Sequence, residues 1–245
     1  MYQTLRDLHR PGDPLLLPNV WDAASAKVVQ EAGFPALATA SAAIAAMLGH
    51  PDHEGAPAEE MFAAAGRVVR AATVPVTVDA EAGYGLDPAE LAARLRGIGA
   101  AGCNLEDTDH ATGRLRDVEE QAAYLAALRA ADPELVINAR VDTFTAGAAV
   151  GDDPLGAALP RAARYLEAGA DCIYPIMAPA DAVPALVQGI AGPVNANCWP
   201  GTSLADLAKA GVARISYGPV PYFQALEALK GFAARVHAME DPYAP

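Results

Sequence analysis

Short apolar runs alternate along the whole chain with alanine-rich stretches whose larger apolar residues recur three or four positions apart. The runs predict strands and the stretches predict helices. Eight runs stand out: Leu15–Val20, Ala36–Ala40, Val76–Ala80, Cys103–Thr108, Leu135–Asp142, Cys172–Met177, Val194–Cys198 and Ala213–Gly218. They recur at roughly thirty residues, the length of one strand-plus-helix unit. Ala32-Gly33, Ala101-Gly102, Ala168-Gly169 and Ala210-Gly211 precede runs, and glycine just past a helix ends it by adopting the left-handed conformation.

Helix starts are also legible. In Asp87-Pro88-Ala89-Glu90, Asp can cap, Pro suits the first turn and Glu can reach back, and Leu91, Leu95 and Ile98 follow at helical spacing. A closing helix is expected over Phe223–Met239, with Leu226, Leu229 and Phe232 along one side. Pro160 falls inside the helical stretch Asp153–Ala168, so that helix is expected to kink or to begin later. Eight strand-helix units without linker composition between them predict an α/β fold, a (β/α)8 TIM barrel forming a single domain over residues 1–245. Neither a P-loop nor a GxGxxG signature is present to favour an open sheet.

Composition narrows the function. Apolar residues make up 53% of the 245 positions and charged ones 19%, enough to fill a large interior. With 17 basic and 30 acidic side chains the formal charge is −13, which repels nucleic acid and anionic membranes. Cys103, Cys172 and Cys198 lack zinc or disulfide spacing. The first ten residues show no basic cluster followed by an apolar run, and no stretch is long enough to span a membrane, so a cytoplasmic protein is expected.

Barrel chemistry belongs at the C-terminal ends of the strands. Run three ends in Asp79-Ala80-Glu81, run four in Glu106-Asp107, run five in Arg140-Val141-Asp142 and run seven in Asn195-Ala196-Asn197. Carboxylates without thiolate or imidazole partners suit a hard divalent ion, Mg2+ first and Mn2+ second. A single strand-end carboxylate such as Asp107 can equally serve as a helix cap, and Gly83 and Gly85 are expected to permit a tight turn.

At these residues the chain resembles the isocitrate lyase/phosphoenolpyruvate mutase superfamily over nearly its whole length. The matching segments are Asn19 to Ala26, Thr39 to Ala43, Leu48 to Asp52, Asp79 to Gly85, Asn104 to Asp107 and Asn138 to Asp142. The resemblance implies a (β/α)8 barrel that binds Mg2+ and cleaves or forms C–C or P–C bonds through a 2-oxo acid enolate. It implies Asp79 as the direct metal ligand, with Glu81, Asp52 and Glu106 holding the metal's waters. Ser41 with the amides of Ala42 and Ala43 corresponds to a carboxylate-binding turn, Arg140 to the substrate's cationic partner, and Asn195 is a further substrate-binding candidate. A homotetramer in which neighbours exchange the last helix is implied as well.

One segment departs from the family. Isocitrate and methylisocitrate lyases carry a Lys-Cys-Gly-His loop after the Glu-Asp pair, whereas here the stretch reads Thr108-Asp109-His110-Ala111-Thr112-Gly113-Arg114-Leu115. Without that cysteine, isocitrate cleavage is not expected. Candidate catalytic residues are Arg140, Glu106 and His110, the last a proton carrier unless it is only an exposed loop histidine. The expected activity is a Mg2+-dependent lyase or decarboxylase acting on a small 2-oxo or 2-hydroxy acid. Alternatives are a phosphonomutase or phosphonopyruvate hydrolase, and a non-catalytic protein that binds 2-oxo acids.

Overall fold

A computed structural model describes residues 1–145 and 150–243, so parts of the domain expected over 1–245 lie outside the described residues. All eight runs form strands. The first is divided into β1 (Leu15–Leu17) and β2 (Asn19–Val20) by Pro18, which has no N–H to give to a ladder. Then come β3 (Leu37–Thr39), β4 (Val76–Asp79) and β5 (Gly102–Glu106). A small antiparallel hairpin, β6 (Thr108–Asp109) with β7 (Arg114–Leu115), precedes β8 (Val136–Val141) and β9 (Cys172–Pro175). The last strands are β10 (Asn195–Asn197) and β11 (Arg214–Ser216).

Strands β2, β3, β4, β5, β8 and β9 are parallel neighbours in that order, and β10, β11 and β1 form a second parallel group. An Ile173–Val194 bridge joins β9 to β10. Because β1 and β2 are halves of one run, the ring closes as a (β/α)8 barrel.

Helices α2 (Ala23–Glu31), α3 (Ser41–Leu48), α4 (Ala58–Ala71), α5 (Pro88–Ile98) and α6 (Val118–Ala131) wrap the first half. Helices α7 (Pro154–Glu167), α8 (Val183–Gly189) and α9 (Leu204–Lys209) follow. Outward strand residues such as Val78, Cys103, Leu105 and Ile137 pack under Leu91, Leu95, Leu125 and Tyr165 of these helices. An initial helix, α1 (Tyr2–Asp7), places Leu5 against Leu15, Leu17, Ala36 and Val136 and closes the barrel's lower end with apolar surface. Among the described residues no helix is long and apolar enough to cross a membrane.

Three local expectations change. The helix containing Pro160 does not begin after it: α7 starts at Pro154, capped by Asp153, and runs through Pro160. Asp87 stands at the start of α5 without a side-chain cap bond, whereas Asp22 caps α2 by accepting from the Ser25 amide at 2.7 Å. The closing helix, α10, spans Val220–His237 and buries only Tyr222. Phe223, Leu226, Leu229, Phe232 and Val236 all remain exposed, so its apolar side does not lie on its own barrel.

Candidate active site

Parallel register brings the strand-end polar residues to one level: Asp79 stands beside Asn104, Glu106 beside Arg140, and Arg140 beside Tyr174. They border a cavity of about 220 Å3 at the C-terminal ends of the strands, together with Asn19, Ser41, Ala42, Asp52, Glu81 and Ser216.

On one side the carboxylates are only partly engaged. Asp79 Oδ2 accepts the Ser41 amide at 3.1 Å, while its buried Oδ1 has no hydrogen-bond partner. Asp52 Oδ1 is likewise buried and unpartnered. Glu81 accepts from the Glu54 amide at 2.6 Å and from the Tyr84 hydroxyl at 2.8 Å. Burial, with Asp79 and Asp52 nearby, pushes its pKa up to about 7 against these hydrogen bonds. Glu54, Glu81 and Tyr84 all have positive φ, a strained backbone that persists where surrounding contacts over-determine it. Gly83 shares this turn at φ 99°, where a Cβ would stand 2.7 Å from the Tyr124 hydroxyl, so the turn requires glycine.

On the other side charges pair tightly. Arg140 donates from Nε and Nη2 to the two oxygens of Asp142, each at 2.7 Å, and its Nη1 meets Glu106. Burial opposes its charge, yet Glu106 and Asp142 hold its pKa well above the ordinary value. The guanidinium is thus the counter-ion of two carboxylates as well as a cavity wall. His110, at the tip of β6, is not an exposed loop residue: its side chain is 10% exposed and Nε2 meets Glu106. Burial works to lower its pKa, and the Glu106 carboxylate outweighs burial and raises it. Burial also raises the pKa of Glu106 itself, against the opposing effects of Arg140 and His110. His53, which borders the cavity, places its ring 5.1 Å from that of His110.

Asp107 is part of the scaffold. It accepts from the Asp142 amide at 2.9 Å, Tyr165 at 2.8 Å and Arg161 at 3.0 Å, tying β8 and α7 together.

Two expected substrate-binding residues lie off the cavity wall. Ala43 packs with Ala40 and Tyr222 under α10, one position beyond the Ser41 and Ala42 amides that open α3. Asn195 is buried lower in the barrel, where it donates to Ser216 at 3.1 Å. Tyr174, Ile176 and Pro219 also border the cavity. Arg214, which sequence reasoning missed, is fully buried below and donates to Asn104 and Ser216. A signal was present: Asn104-Leu105-Glu106, Asn138-Ala139-Arg140, Asn195-Ala196-Asn197 and Arg214-Ile215-Ser216 alternate polar and apolar residues. Parallel strands buried on both faces ordinarily read as continuous apolar runs, so this alternation marks a polar barrel interior.

Comparison with known proteins agrees with the fold. The phosphoenolpyruvate phosphomutase family model matches residues 5–237. A solved Burkholderia cenocepacia structure, provisionally described as a phosphonomutase, is 45% identical and superposes with a TM-score of 0.90, covering 95% of this chain and 98% of that one. An uncharacterised Mycobacterium tuberculosis protein is 36% identical over 92% of this chain and 85% of its own length. The 2-methylisocitrate lyase of Bacillus subtilis is 34% identical over 69% of this chain and 58% of its own length.

Proposed function

The chain belongs to the phosphoenolpyruvate phosphomutase family, within the isocitrate lyase/PEP mutase superfamily of lyases and mutases acting on C–C or P–C bonds of small acids, and from that premise we propose a Mg2+-dependent lyase or decarboxylase that cleaves a C–C bond of a small 2-oxo or 2-hydroxy acid. The observation that carries this reading is the cavity of about 220 Å3 where Asp52, Asp79, Glu81, Glu106 and Arg140 converge.

The donor set fits the ion. Asp79 Oδ1 and Asp52 Oδ1 are hard, buried and unpartnered. Among the described residues no three acidic, histidine or cysteine side chains cluster as a direct ligand set, and Mg2+ characteristically binds through one or two carboxylates and keeps waters. Asp79 would hold the ion, and Glu81, Asp52 and Glu106 its waters. When bound, it supplies Lewis-acid stabilisation of negative charge on the substrate's 2-oxygen.

The remaining work falls to the chain. The Ser41 hydroxyl and the Ala42 amide at the start of α3 receive the substrate carboxylate, since a helix N-terminus offers N–H donors to an anion and the Ser41 amide itself is given to Asp79. Arg140, already held by Asp142, faces the cavity with its remaining N–H groups. His110 Nε2 and Glu106 form a proton-transfer couple: burial pushes the Glu106 carboxyl up to about 7, and the Glu106 carboxylate raises the imidazole's pKa against burial.

The likeness to the Burkholderia protein favours a second reading, a phosphonomutase or phosphonopyruvate hydrolase. With Mg2+ present, pyruvate release from oxaloacetate or an alkylmalate supports C–C cleavage, and phosphate release from phosphonopyruvate supports the P–C reading. Absence of both activities and of oxalate binding would sink the proposal.

A further inference from the structure

The barrel interior beneath the cavity holds a cation that makes no ion pair among the described residues. Arg214 on β11 is fully buried, and its hydrogen bonds go to neutral groups: Nη2 to Asn104 Oδ1 at 3.0 Å and Nε to Ser216 Oγ at 3.2 Å. Nη1 has no partner. Taking a guanidinium out of water without a compensating anion is costly, so its place under a ring of carboxylates calls for a reason.

That reason lies in what Arg214 does to the groups above it. Asn104 Oδ1 accepts from Arg214 and also from Asn138 Nδ2 at 2.8 Å. A guanidinium can only donate, so the Asn104 oxygen must face down. Its Nδ2 hydrogens make no bond to any described residue, and Asn104 borders the cavity. Ser216 Oγ accepts from Arg214 and from Asn195 Nδ2 at 3.1 Å, which occupies both lone pairs and leaves the hydroxyl hydrogen for the cavity that Ser216 also borders.

We propose that Asn104 and Ser216 are ligand-contacting donors, held donor side up by the positioning residue Arg214, and that this floor receives a carboxylate or enolate oxygen of the bound acid. The inference rests on the 2-oxo acid reading of the cavity. Four carboxylates repel an anion, whereas fixed donors over a buried positive charge attract one without reorganising as it arrives.

The test titrates oxalate into the Mg2+-loaded protein. Asn104→Asp places a carboxylate against Arg214, so thermal stability is kept or raised. Its upper oxygen now accepts and faces the anion, so oxalate affinity falls roughly tenfold or more. A merely structural Asn104 predicts undiminished affinity, because the new ion pair satisfies the floor. Arg214→Met removes the buried charge at similar volume, keeps the fold and frees the Asn104 amide to turn, weakening oxalate roughly fivefold. In the unaltered protein the Asn104 side-chain amide resonances shift on saturation with oxalate, and those of Asn138 do not. Unchanged oxalate affinity in Asn104→Asp, or unmoved Asn104 resonances at saturation, overturns this inference alone. Failure of the unaltered protein to bind oxalate overturns the proposed function and this inference with it.

Discussion

Arg140, near the end of β8, and Asp142, just past it, sit two residues apart, and the arginine fork closes on the carboxylate with two bonds of 2.7 Å. The guanidinium is therefore oriented before any ligand arrives, with Glu106 on its third nitrogen. A planar fork makes this possible, and an ammonium has no equivalent geometry. Arg140→Lys is expected to lower unfolding free energy by about 2 kcal/mol and to weaken Mg2+-dependent oxalate binding as well. Urea denaturation and calorimetry read the two effects separately, and loss of stability with retained oxalate affinity would assign Arg140 to the scaffold alone.

Asp79 offers one free oxygen to the cavity and ties the other to the Ser41 amide. An amide in its place can still accept from Ser41 but carries no charge. Asp79→Asn should abolish Mg2+ binding in calorimetry while leaving the melting temperature nearly unchanged. Undiminished Mg2+ affinity would remove the metal site from this region of the barrel.

His9 is buried with Nδ1 2.8 Å from the Leu5 carbonyl and no partner for Nε2. Burial, reinforced by Arg214, lowers its pKa to about 4 from 6.5. The unfolded chain therefore binds the extra proton more readily. The contribution of His9 to stability is complete above pH 6.5, falls as pH drops from there towards 4, and levels off below; the loss amounts to about 3 kcal/mol. Denaturant titrations at intervals from pH 7 to pH 4 should show this decline, and His9→Gln should flatten it. An equal slope in the variant would place the acid sensitivity elsewhere.

Helix α10 exposes Phe223, Leu226, Leu229, Phe232 and Val236 along its length. Contiguous apolar surface of this kind marks an association site. The chain is expected to sediment as a homo-oligomer, a tetramer in which neighbours exchange this helix. Leu229→Glu combined with Phe232→Glu should yield monomers that retain the barrel's circular dichroism. A monomeric unaltered protein at micromolar concentration would contradict this assembly.

Local signals carry far in this chain because each barrel unit repeats the same short-range chemistry. Apolar runs mark strands, Ala-Gly pairs mark helix ends, and polar residues at run ends mark the rim. Asp79, Glu106 and Arg140 were legible because parallel register adds only a fixed offset between neighbouring strands, so residues at equivalent run ends meet. Ser41, the first residue of α3, and Asp52, on a loop, were placed by resemblance, and the structure sets both at the cavity.

Depth and partnership were not legible. The in-or-out alternation of a strand says that Asn195 and Arg214 face the barrel interior, but strand tilt and stagger decide that they lie below the cavity rather than in it. His110 meets Glu106 only because the β6–β7 hairpin folds back over the rim, and the bonds that hold that hairpin reach residues as distant as Arg161. The sequence by itself determined the number of strand-helix units, their order and the chemistry of the rim, all set by interactions between residues close in the chain. Which carboxylate stays free, which is neutralised, and which side of α10 is left bare were decided only in the tertiary structure, because charge pairing and burial depend on residues that the chain brings together from far apart.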